Sequence, residues 1–460
     1  MRFTQTTQTR EPTPIGESAP PADERGQAPR LHVRRSRRAD VRPWWASRLM
    51  VAGLSVLLAV VVAAPLIYAY APGGGSVSAL MGPGATPQPA ANRTPNPHAT
   101  PLAQTLSQAA QVAYVNQLIS HMTLDQEIGQ MIMIGFSETQ IDSALLYQIN
   151  QYHIGSAIMY AFNIQTGPQL TSLDQQLQAA TAAAGNPPLL IATDQEGGGV
   201  NRLLAVDGPL PSASDIGATG DPNYARQRGQ EDAQALASVG INLNLAPVVD
   251  VMNTTGGDLG GRTFGSTPDV VTKMAGAYLS GLQASGQVAG TLKHFPGLGD
   301  VPVDPHQQLY YEDRSLTDLN NIDWAPYKAL IATGQVQAIM STHVVLSAVD
   351  DTRPASLSYP VITGILRNQL GFNGVVITDG IYMKALSDHY SLDQIILYAI
   401  QAGNDIICST YSIQSTAETE QVLHDAVTNG TLTKARIDDS VRRILLLKLH
   451  LGLLTASANG

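Results

Sequence analysis

The chain runs to 460 residues, is rich in Gly and Ala, and only 14% of its side chains are charged. That is too long for one small domain and ample for a large α/β core, and the single cysteine, Cys408, excludes an intramolecular disulfide. Of the net charge of −10, residues 1–48 carry ten Arg against five acids, which leaves 17 basic and 32 acidic side chains elsewhere, a balance of −15 that disfavours nucleic acid as a partner.

In chain order, residues 1–48 are polar and rich in Pro, Thr and Arg, a composition that predicts a disordered basic tail ending in Trp44, Trp45 and Arg48. Residues 49–71 follow without a charge. As a helix this run spans about 34 Å, enough for a bilayer core, so a transmembrane helix is expected. Arg on its N-terminal side predicts a cytoplasmic tail and a barrel outside the cytoplasm, with the two Trp at the interface. A cleaved signal peptide is the competing reading, since AYA precedes Pro72, although Pro directly after the cut disfavours cleavage. Residues 72–104, almost all Pro, Ala, Gly and Thr, read as a flexible linker. They contain an Asn92-Arg93-Thr94 glycosylation pattern.

From 105 to 456 the chain alternates. Apolar runs of strand length fall at 130–136, 155–160, 188–194, 242–248, 288–294, 337–343, 374–379 and 405–409, separated by Ala/Leu/Gln-rich segments of helical spacing. Continuous apolar strands alternating with helices predict a parallel sheet covered on both faces, and eight such units predict a (β/α)8 barrel, with a doubly wound sheet as the alternative. The amphipathic segment 435–454 is expected to close it.

The polar residues sit where a barrel would use them. Asp194 ends the third run, Lys293 and His294 the fifth, His343 the sixth and Asp379 the seventh; Arg262 and the loop holding Asp304 and His306 follow the fourth and fifth. All would gather at the C-terminal mouth, where this fold does its chemistry. An Asp two residues from a His on a Gly/Pro-shaped loop suits an imidazole that is held and polarised. A carboxylate facing such a proton donor is the arrangement of a retaining glycosidase, with histidine in place of the usual second carboxyl. Glu196 reads as a buried structural partner, Asp250 and His343 as pocket wall or scaffold, and Cys408 as a small buried apolar residue. The spacing of His294, Asp304 and His306 fits no standard zinc pattern.

The motifs IGQMIMIGF, DQEGGGVNRL, GRTFGSTPD, KHFPGLGDVPVDPH, MSTHVVLSAVD and GVVITDGIYMKAL, in this order, resemble the β-N-acetylglucosaminidase branch of glycoside hydrolase family 3 across residues 106–455. The resemblance implies Asp379 as nucleophile, His306 as acid/base and Asp304 as its orienting partner. It implies Asp194 and Arg202 on sugar hydroxyls, with Arg262, Lys293 and His294 lining the same subsite. It implies no metal and no organic cofactor, and an N-acetylglucosamine-containing oligosaccharide from cell-wall fragments or chitin as substrate. The chain departs from the family pattern at Gly199, where Arg is usual, and at Leu298, Pro305 and Gly380; none of these removes a proposed catalytic group. A β-glucosidase of the same fold and a non-catalytic sugar-binding barrel are the alternatives.

Overall fold

A computed structural model describes residues 106–252, 259–299 and 301–454. The expected tail at 1–48, the membrane span at 49–71 and the linker at 72–104 lie outside the described residues. Among the described residues no helix is long and apolar enough to cross a membrane.

All eight expected strands form: β1 Ile132–Gly135, β2 Ser156–Met159, β3 Leu190–Thr193, β4 Leu243–Asn244, β5 Ala289–Phe295, β6 Ala338–Ser341, β7 Val375–Thr378 and β8 Ile407–Thr410. They make one parallel sheet in the order β7-β6-β5-β4-β3-β2-β1-β8. A single parallel bridge, Ile377 to Ile406, brings the two ends together, so the barrel is nearly closed. The strand runs are apolar without alternation because both faces are covered, and the residues of β1, β2, β3 and β7 are all buried.

Each strand is followed by a helical segment: Ser143–Tyr152, Gly167–Ala183, Pro222–Ser238, Pro268–Leu282, Ala325–Ile331, the π-helical Pro360–Gln369, Leu392–Ala402 and Ile413–Thr428. Their starts are local and readable. Asp142, Thr166, Asp221, Thr267, Ser391 and Ser412 each accept a backbone N–H from the first turn, and three of these helices place Pro there, where no N–H is missed.

Three further helices seal the N-terminal end. Gln108–Ser120 and Leu124–Gln130 precede β1, and the expected closing helix, Lys434–His450, packs on both. Lys434 reaches Glu127 at 2.5 Å, and the buried Lys448 donates to Gln130 at 2.6 Å. Two small sheets escaped the sequence pattern. One is an antiparallel pair, Gln195–Gly197 with Val200–Asn201; the other pairs Tyr310–Glu312 with Val344–Leu346. Both follow the C-terminal ends of barrel strands, and the first contributes Glu196 and Val200 to the cleft there.

Candidate active site

The mouth of the barrel holds a cleft of about 540 Å³, a volume suited to a small-molecule ligand. Seven of the expected residues line it: Asp194, Arg202, Arg262, Lys293, His294, His306 and Asp379. Asp304 lies behind His306.

One wall is a cross-braced charge cluster. Asp194 leaves β3 directly into the antiparallel pair, and the turn is fixed from below. The Asn244 amide accepts from Gln195 N at 3.0 Å and donates to its carbonyl at 2.9 Å. Gly197 and Gly198 take φ of 81° and 54°, and a Cβ on Gly197 would lie 2.2 Å from the Pro211 carbonyl, so only glycine turns the chain there. Neighbouring strand residues ordinarily point to opposite faces. Here the pairing of β5 with β6 shifts register between Leu292 and Phe295, and Lys293 and His294 both line the cleft.

Lys293 Nζ sits 2.7 Å from both Asp194 Oδ1 and Glu196 Oε1. Arg262 grips Glu196 with two bonds, Nε to Oε2 at 2.8 Å and Nη2 to Oε1 at 2.9 Å. Burial pushes the Glu196 carboxyl up, but Lys293 and Arg262 outweigh it and hold the group down at about 2. Burial likewise disfavours the charged Lys293, and Asp194 and Glu196 overcome it and raise its pKa. Glu196 is thus the buried partner that the sequence suggested.

His294 Nδ1 donates to Asp250 Oδ2 at 2.7 Å, while Arg262 Nη2 stands 3.4 Å from its Nε2. The same Asp250 accepts from Leu298 N at 2.9 Å. Asp250 therefore sets both an imidazole and the start of the following loop, the scaffold side of the expected wall-or-scaffold reading. Gly299 follows, and a Cβ there would lie 1.8 Å from the Val251 carbonyl; the loop packs this closely only because the residue is glycine. Arg202 reaches the cleft with a buried Nε that has no hydrogen-bond partner among the described residues. A buried donor of this kind calls for a ligand oxygen.

Asp379 begins where β7 ends. Its N–H donates to the Ser341 carbonyl at 2.8 Å, and its Oδ1 accepts from Gly380 N at 2.8 Å. Burial raises its pKa, but the imidazoles of His294 and His343 and the Gly380 N–H win and hold it below the usual carboxylate range. His343 is fully buried beneath it, 2.8 Å from Ser356 Oγ through Nδ1 and 3.1 Å from the Gly380 carbonyl through Nε2. It is scaffold, as expected, and fixes the backbone next to Asp379.

His306 stands apart from this packing, its side chain 60% exposed. Its Nδ1 donates to Asp304 Oδ1 at 2.7 Å, and the same oxygen accepts the His306 N–H at 2.8 Å. Burial pushes Asp304 up, and these two bonds pull it below its ordinary value. Nε2 of His306 makes no hydrogen bond among the described residues. Lys384 N and Ala385 N, just past Asp379, donate to the carbonyls of His306 and Pro305 at 3.3 Å each, so the loop after β5 is tied to the segment after β7. Pro305 is buried in this contact.

At two of the four departures a side chain would have room. A Cβ on Gly199 meets nothing within 4 Å, and one on Gly380 meets only Met383 at 3.8 Å. Tyr160, Tyr382 and Tyr411, none of them singled out by motif or spacing, line the cleft with Asp379. Among the described residues no three His, Cys, Asp or Glu side chains are placed to hold a metal ion.

Residues 123–447 match the glycosyl hydrolase family 3 N-terminal domain. The chain is 32% identical over 382 residues to beta-hexosaminidase A of Pseudoalteromonas piscicida, covering 73% of this chain and 62% of that one. It is 30% identical to beta-hexosaminidase LpqI of Mycobacterium tuberculosis, covering 84% and 95%. Among solved structures, a family 3 β-N-acetylglucosaminidase from Paenibacillus sp. superposes with a TM-score of 0.69 at 34% identity, over 74% of this chain and 65% of that one. The chain thus spans less than two thirds of the Pseudoalteromonas and Paenibacillus proteins.

Proposed function

The chain belongs to glycosyl hydrolase family 3, and from that premise we propose that it is a retaining β-N-acetylhexosaminidase, releasing terminal β-linked N-acetylglucosamine from cell-wall fragments or chitin oligosaccharides. One observation carries the reading: Asp379, held ionised, and His306, backed by Asp304, face the same cleft.

In this mechanism Asp379 attacks the anomeric carbon while His306 gives the proton on Nε2 to the departing oxygen. The glycosyl-enzyme ester forms and the glycosidic bond breaks. His306 then takes a proton from water as water attacks the same carbon, which frees Asp379 and returns the β configuration. A histidine that has given up its proton is neutral, so it leaves no negative charge to repel the incoming nucleophile. Asp304 keeps the ring in the tautomer that works, as the carboxylate of a catalytic triad does. Asp194, Arg202, Arg262, Lys293 and His294 bind and orient the sugar hydroxyls. Residues 49–71 anchor the barrel at 105–456 outside the cytoplasm, a placement supported by the Arg-rich segment before them.

The test is Asp379→Asn, which keeps shape and removes charge. Turnover of an aryl β-N-acetylglucosaminide is expected to fall more than ~10⁴-fold while sugar binding survives. A mechanism-based fluoro-sugar is expected to label Asp379 in the wild type. Labelling elsewhere, or release of the α-anomer as first product, overturns the assignment.

A further inference from the structure

Beside the polar wall the cleft has a second surface of different chemistry. Phe162, Tyr160, Tyr411 and Tyr382 form a row with successive ring centroids 5.3, 5.9 and 5.9 Å apart. The rings come from three places: the turn after β2, the end of β8 and the loop that follows Asp379. Phe162 is 57% exposed, Tyr411 48% and Tyr382 40%. A protein surface seldom spends three neighbouring exposed aromatics on water, and such a patch next to a cleft marks a binding surface.

The row is built, not accidental. Phe162 and Tyr160 stack within 24° of parallel, and Tyr411 lies within 27° of Tyr160. The Tyr411 hydroxyl donates to that of Tyr160 at 2.5 Å. Beneath Tyr411 is Gly135, where a Cβ would lie 2.6 Å from the ring, so the strand leaves room for it to lie flat. Three of the four rings also line the cleft with Asp379 and His306. Phe162 extends the row outward.

We infer that this row is the seat of the leaving-group sugar, an unsubstituted pyranose ring β-linked to the residue held at Asp379. The inference rests on the glycosidase reading and adds the class of aglycone to it. A pyranose has apolar C–H faces and a hydroxyl rim, and a row of Tyr and Phe rings, the last tilted 57° from its neighbour, offers aromatic carbon to the first and phenol oxygens to the second. The four rings carry no charge, so they offer nothing to an anionic or peptide-bearing substituent. Tyr160, Tyr382 and Tyr411 line the same cleft as Asp379, so the sugar assigned to the row is the one joined to the residue held there.

The experiment compares two substrates that share the glycosyl group and differ in what leaves. N,N′-diacetylchitobiose sends a sugar across the row; N-acetyl-β-glucosaminyl fluoride releases an ion that touches none of it. Phe162→Ala and Tyr411→Ala are each expected to lower kcat/KM on chitobiose about fivefold, and together about twentyfold, with the fluoride unchanged within twofold. An equal fall on both substrates, or no fall on either, overturns the inference while leaving the glycosidase reading intact. A wild type that prefers cellobiose and β-glucosyl fluoride overturns the N-acetylglucosamine reading instead, and the same ratio measured on that pair decides the role of the row. A wild type that cleaves neither pair overturns both.

Discussion

Two groups of charges share the mouth of this barrel and are built in contrasting ways. In the wall of Asp194, Glu196, Arg262 and Lys293, Lys293 and Glu196 are buried, and the contacts that Lys293 and Arg262 make to the two carboxylates run from 2.7 to 2.9 Å. On the loop after β5, His306 is mostly in solvent and leans on one carboxylate. The difference follows from what each must do. Charges that orient hydroxyls work best when fixed before the ligand arrives and unable to change state. A group that gives and retakes a proton must exchange it with water, so it needs access and a single partner that sets its direction. The tie between the His306 loop and Lys384 supplies the remaining restraint.

If the wall is a preorganised unit, its central cation is the point of failure. Lys293→Met leaves Asp194 without its counter-charge and Glu196 with Arg262 alone, and the expected cost is about 3–5 kcal/mol of stability together with loss of sugar binding. Urea unfolding and calorimetric titration with N-acetylglucosamine measure the two; full stability in the variant contradicts the picture of a braced wall.

The loop is expected to answer differently. Asp304→Ala leaves stability within about 1 kcal/mol, because the side chain it holds, His306, is mostly in solvent, yet lowers kcat/KM on chitobiose about a hundredfold. Lost stability without lost rate would make Asp304 a loop brace only.

The wall also predicts a pH signature. Glu196 has its carboxyl lowered from 4.5 to about 2 in the folded chain. Its contribution to stability is therefore complete above 4.5 and drains away as pH falls toward 2. Glu196→Gln is expected to flatten the acid limb of a stability-against-pH curve in that window.

The smallest effect on rate comes from the other end of the barrel. Burial pushes Lys448 from 10.5 down to about 7. The unfolded chain keeps that proton to higher pH, so stability rises between about 7 and 10.5, and below 7 the cost is at its full value. Lys448→Met is expected to raise Tm at pH 7 by about 3 °C without altering kcat or KM. A change in rate would show that the base and the mouth are coupled.

What the sequence disclosed follows the range of the interactions. The eight strands were legible because burial on both faces leaves unbroken apolar runs. The Asp304–His306 pair was legible because its partners are two residues apart. Asp250 meets His294 across 44 residues and Tyr411 meets Tyr160 across 251, distances at which composition and periodicity carry no signal. The two small sheets were missed for a related reason: strands of two or three residues, mixed in polarity, show no period. Gly199 falls on the turn of one of them and Arg202 just past its second strand, so the room around Gly199 could not be read before the fold was known.

The account turns on His306 carrying the proton, and rescue of His306→Ala measures that directly. The variant is expected to cleave chitobiose ~10²–10⁴-fold more slowly, to keep much of its first step on a nitrophenyl glycoside, and to show a burst as glycosyl-enzyme accumulates. Added azide is expected to restore turnover of the nitrophenyl substrate and to yield the β-glycosyl azide. Equal slowing on both substrates, with no burst and no azide product, would contradict the assignment.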